Sequence, residues 1–77
     1  MTEKLDRVKQ IISTLFNVDE TGLSLASSRD DIPGWDSMGQ LMLILELEQR
    51  FEIEIPPERG DKLTSISEVL RFLEESA

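Results

Sequence analysis

Cysteine, histidine and tyrosine are all absent from this 77-residue chain. Without cysteine there is no disulfide and no thiolate metal ligand to help hold so small a fold together. Without histidine the commonest general base is missing, and with it most nucleophile–base pairs and zinc sites. Aromatic side chains are few: Phe16, Trp35, Phe51 and Phe72. With 39% apolar residues, little core is left over to wall an enclosed cleft. No apolar run approaches the roughly 18 residues of a membrane span, and Met1–Gln10 is too charged for a signal peptide. No Asp-x-Asp-x-Asp-Gly calcium loop is present either. The expectation is a cytoplasmic, monomeric domain that is not an enzyme and has neither catalytic residues nor a metal site.

Positive charge is also scarce. Eight Lys and Arg face sixteen Asp and Glu, for a net charge of −8. Residues 1–10 carry +1 (Lys4, Arg7 and Lys9 against Glu3 and Asp6), so −9 falls on residues 11–77. Such a surface repels nucleic-acid phosphates and anionic lipid, and attracts basic patches on other proteins. The apolar content is too high and too periodic for a disordered acidic tail.

What is present reads as helix. Leu5, Val8, Ile12 and Leu15 recur at three- and four-residue spacing, with Ile11 and Phe16 widening the stripe. That predicts an amphipathic helix over 3–16, with Thr2 as N-cap. Residues 17–36 have turn chemistry and no sustained period, a long connection for a compact domain. Leu23, Leu25, Ile32 and Trp35 can pin it to a core, so it is expected to be ordered. A second helix is predicted from Ser37 to about Phe51, followed by extended linker at 52–55. Pro56-Pro57 stops the helix, and Gly60 limits the next segment to a turn or two. Ser65-x-x-Glu68 fits a capping box ahead of Ile66, Val69, Leu70 and Leu73, which predicts a last helix ending near Glu75. The fold class is all-α: a four-helix bundle of three longer helices and one short one, with a long first loop. Residues 1–77 form one domain.

The second helix has two apolar sides. At about 100° per residue, Leu43, Ile44, Leu47 and Phe51 share one and Met38, Leu41, Met42 and Leu45 share nearly the opposite one. A helix apolar all round is covered on both sides or binds something. Either the long loop folds over the second side, or that side is a partner surface on which flexible methionines fit several proteins.

The informative segment is Gly34-Trp35-Asp36-Ser37-Met38-Gly39-Gln40-Leu41, where the loop meets this helix. Read locally, Ser37 is an N-cap, and Ser37-x-x-Gln40 matches a capping box. Asp36-Ser37-Met38, heading an apolar helix that ends in Glu46-Leu47-Glu48-Gln49-Arg50-Phe51, also resembles the acyl carrier protein family. The family motif is Asp-Ser-Leu, with Met38 here in third place. The likeness continues through Ile53-Glu54-Ile55-Pro56 and Leu63-Thr64-Ser65-Ile66 and covers essentially the whole chain.

The resemblance implies that Ser37 is esterified by 4′-phosphopantetheine, taken from coenzyme A by a phosphopantetheinyl transferase. It implies that acyl groups ride on that arm as thioesters, in fatty-acid or a related dedicated biosynthesis. A phosphodiester at a helix N-terminus is electrostatically favoured, and Asp36 is expected to serve recognition by the transferase. No base accompanies Ser37, which makes it a substrate rather than a nucleophile. Partners expected from the resemblance are the transferase and acyl-loading, acyl-transfer or condensing enzymes with basic patches. Met38, Leu41, Met42, Leu45, Glu46 and Glu48 are their expected contacts. Leu47, Ile55 and Leu63 are implied to line a shelter for a carried chain. Fatty-acid carriers are usually acidic along the exposed part of this helix, whereas Gly39, Gln40, Met42 and Gln49 are uncharged here. In this the run is more similar to stand-alone carriers of dedicated pathways. Alternatives are an aminoacyl or peptidyl carrier, against which Asp36 argues, and an unmodified helical interaction module.

Overall fold

The computed structural model describes residues 2–76 and, of residues 2 and 76, the backbone alone. Helix α1 spans Thr2–Phe16, α2 Ser37–Phe51, α3 Pro57–Gly60 and α4 Ile66–Ser76, with a 3₁₀ turn at Glu20–Gly22 in the long loop. The all-α bundle and its helix lengths agree with the sequence reading; a cap from the Thr2 side chain lies outside the described residues. The described residues form no strand, only an isolated bridge between Ser28 and Ser65.

The helix boundaries have local causes. Asn17 and Glu52 adopt φ of 55° and 53°, and the next residue bonds back: Val18 N–H donates to Ser13 O at 3.2 Å and Ile53 N–H to Glu48 O at 3.2 Å. This left-handed closure satisfies carbonyls that a helix end leaves open. Pro57 starts α3, where its missing N–H costs nothing. At α4, Ser65 Oγ accepts from Glu68 N–H at 3.2 Å, as the capping pattern predicts.

One core holds the elements together. Helix α1 packs against both α2 and α4. Val8, Ile11 and Ile12 meet Leu43 and Leu47 of α2 and Ile66, Val69, Phe72 and Leu73 of α4. Ile55 and Leu63 add the segment around α3. The long loop is ordered because Leu23, Ile32 and Trp35 are buried in this same core. Leu25 is not a pin of that kind, being 47% exposed. Its carbonyl accepts instead from Ser67 N–H at 3.2 Å, while Ser27 O accepts from Ile66 N–H at 2.9 Å. The loop therefore supplies acceptors to the first turn of α4, whose N–H groups have no partner inside the helix. It is spent on that end of the bundle and leaves the second apolar side of α2 uncovered.

Candidate functional site

The loop reaches the head of α2 through Trp35, which is 2% exposed. Its ring stacks on Phe16 with centroids 5.7 Å apart and planes at 15°. The Trp35 backbone N–H donates to Ile32 O at 3.2 Å, and Arg29 Nε donates to Trp35 O at 3.3 Å. Gly34, at φ 91°, makes the turn before it. The residue that starts α2 is thus presented from a fixed base rather than from a loose loop.

Asp36, not Ser37, is the cap of α2. An Asp36 carboxylate oxygen accepts from Gly39 N–H at 2.9 Å, and Asp36 O accepts from Gln40 N–H at 2.7 Å. The local reading of Ser37 as N-cap is corrected: a carboxylate at the preceding position is an equally good cap and takes the bond. Ser37 becomes the first helical residue, exposed, its hydroxyl not consumed by capping. As the first two residues of the helix, Ser37 and Met38 have N–H groups without an intrahelical acceptor. An exposed hydroxyl beside those N–H groups fits a phosphodiester, whose oxygens would face donors and the positive end of the helix.

Gly39 explains itself by contact. A Cβ there would run into the Gly34 carbonyl oxygen and come within 2.7 Å of Phe16 Cε1. The helix head and the loop touch backbone to backbone at this point.

Gln40 is the residue that sequence reasoning misplaced. Expected among the uncharged exposed positions, it is 6% exposed. Its Oε1 accepts from Trp35 Nε1 at 2.6 Å, and its Nε2 donates to Gly60 O at 2.7 Å and to Leu63 O at 3.0 Å. The capping-box reading of Gln40 fails for the same reason, since its amide points to Trp35 and α3. The signal was present: Gln40 falls on the same i, i+3, i+4, i+7 stripe as Leu43, Ile44 and Leu47.

The two sides of α2 part cleanly. Leu43 and Leu47 are fully buried, with Ile44 and Phe51 half-buried against the core. Met38, Leu41, Met42 and Leu45 are 69%, 55%, 43% and 56% exposed. The reading in which the loop covers that side is excluded. Beside it an open groove of about 630 Å³ runs between Leu15 of α1 and Met42, Leu45, Glu46, Glu48 and Gln49 of α2. Glu46 pairs with Arg50 at 3.5 Å. One Glu48 oxygen accepts from Ile55 N–H at 2.9 Å and so braces the linker after α2. Leu47, Ile55 and Leu63 lie in one core, at 0%, 7% and 3% exposure, and a sheltered chain would have to part them.

The family described as phosphopantetheine attachment site matches residues 6–73. An acyl carrier protein of Clostridium acetobutylicum is 35% identical over 68 residues, covering 88% of each chain. This chain belongs to the acyl carrier protein family, and its prosthetic group is covalently attached 4′-phosphopantetheine.

Proposed function

We propose that Ser37 is the attachment point and that the protein carries acyl groups as thioesters between partner enzymes of a biosynthetic pathway. The supporting observation is the head of α2: an exposed serine at the first helical position, with capping already done by Asp36. The prosthetic group supplies a terminal thiol for thioester formation. This chain's own residues hold and present it. Trp35 and Gln40 fix the helix head, the Ser37 and Met38 N–H groups would donate to the phosphodiester, and Met38, Leu41, Met42 and Leu45 offer an apolar contact. Glu46 and the unbonded oxygen of Glu48 offer negative charge to basic partners. Acyl carrier proteins are carriers rather than catalysts, and nothing at Ser37 is asked to activate it.

The assignment is tested by incubation with coenzyme A, magnesium and a phosphopantetheinyl transferase of broad specificity, followed by intact mass. One phosphopantetheine is expected on the wild type and none on Ser37→Ala. Addition to Ser37→Ala moves the site elsewhere; no addition to either protein favours the unmodified interaction module.

A further inference from the structure

We propose that the carried group is a short, polar acyl group that stays outside the helix bundle, because Gln40 bolts α3 to the attachment end of α2. The proposal rests on the assignment of Ser37 and adds the class of cargo.

A long apolar chain tethered at Ser37 gains by leaving water. The apolar interior within reach is the seam between α2 and α3, where Leu47, Ile55 and Leu63 are buried. Gln40 crosses that seam three residues after Ser37. Both its donor bonds go to carbonyls of the α3 segment, Gly60 at 2.7 Å and Leu63 at 3.0 Å, and its acceptor is taken by Trp35 Nε1 at 2.6 Å. Parting α3 from α2 strips two carbonyls and two amide N–H bonds of their partners in a place water does not reach. The three bonds share one amide, so the tie yields as a unit. The seam is also tight: a Cβ on Gly60 would lie 2.7 Å from Ile44 Cδ1, so α2 and α3 meet where glycine leaves room.

The open space on the loop side of the helix head is of the opposite character. A cleft of about 390 Å³ is lined by Ser28, Arg29, Asp30, Trp35 and Thr64. Arg29 is the single Lys or Arg between Lys9 and Arg50. Its bond to the Trp35 carbonyl holds the guanidinium two residues upstream of Ser37. Hydroxyls, a carboxylate and a guanidinium beside Trp35 suit an acyl group bearing hydroxyl or carbonyl oxygens better than an alkyl chain.

The experiment loads wild type and Gln40→Ala at Ser37 from acetyl-, 3-hydroxybutyryl- and octanoyl-coenzyme A with a broad transferase. Methyl spectra of Leu47, Ile55 and Leu63, amide spectra of the loop and melting midpoints are then compared. In the wild type, core methyls and midpoint should be the same for acetyl and octanoyl cargo. The 3-hydroxybutyryl form should shift the amides of Ser28, Arg29 and Thr64 relative to the acetyl form. In Gln40→Ala the octanoyl chain should shift the core methyls. The inference is overturned if octanoyl shifts them in the wild type and raises its midpoint, or if the loop amides ignore the hydroxyl. Should Gln40→Ala fail to fold, the wild-type series decides alone. Unchanged intact mass with every donor would instead overturn the attachment at Ser37.

Discussion

Glu52 closes α2 in a left-handed conformation that only glycine adopts freely, at φ 53°. An L-residue there bears a penalty of about 1–2 kcal/mol, and the exposed side chain recovers little of it. Glu52→Gly is expected to raise stability by about 1 kcal/mol, or several degrees in melting midpoint. Gly39→Ala should do the opposite. Helix propensity alone predicts a gain of up to ~1 kcal/mol from alanine. Collision with the Gly34 carbonyl and the Phe16 ring should outweigh it by forcing the loop off the helix head. A raised midpoint for Gly39→Ala would mean that the two backbones do not touch. Asp19 gives a pH-dependent case. Its carboxylate is held below the ordinary range, first by the Thr21 backbone N–H at 3.0 Å and then by the Thr21 hydroxyl at 2.9 Å. Asp19 caps the 3₁₀ turn, and a depressed folded value means that this cap's stabilisation is full above the unfolded value and disappears as pH falls through the folded one. Carbon-13 titration should place Asp19 below a free aspartate, and Thr21→Val should raise it only in part, since the backbone donor remains.

At the scale of one element, α2 is two surfaces on one cylinder. Leu47→Ala removes a fully buried side chain and should cost roughly 2–5 kcal/mol. Leu41→Asp, at a site 55% exposed, should leave the midpoint nearly unchanged while slowing modification of Ser37 by the transferase. Equal loss of stability in the two variants would sink the division. This division was legible in the sequence because apolar spacing places residues on sides of a helix without knowledge of the fold. Which side the loop would cover was not, since that depends on where Ser27 and Leu25 find donors in α4. The helix lengths and the position of Ser37 were legible from turn residues and proline. Gln40 was legible only in part: its place on the apolar stripe signalled burial, but its partners, Trp35 and the Gly60 and Leu63 carbonyls, come together only in the fold. The bond from Gly39 N–H to Asp36 was not legible either, because Asp36 and Ser37 are both good caps and the sequence does not say which of them leaves the helix first.

For the whole molecule, charge is the dominant long-range fact. A net charge of −8 is spread over a body of 27 × 27 × 19 Å. At about 10 mM salt the screening length is ~30 Å, and at physiological salt ~8 Å. Charges on opposite sides therefore repel at low salt and ignore one another at physiological salt. The melting midpoint should rise with sodium chloride, most steeply below about 0.15 M, the range over which that screening length shrinks; a flat profile would mean that local pairing has cancelled the repulsion. The burial of Trp35 has an optical consequence. It is the one tryptophan of a chain that has no tyrosine, so emission excited at long ultraviolet wavelengths comes from a single indole. That indole is shielded by Phe16, bonded to Gln40 and two residues from Ser37. Its colour and quenching report, without any label, on the join between loop and helix, and a red shift marks the moment when that join lets solvent in.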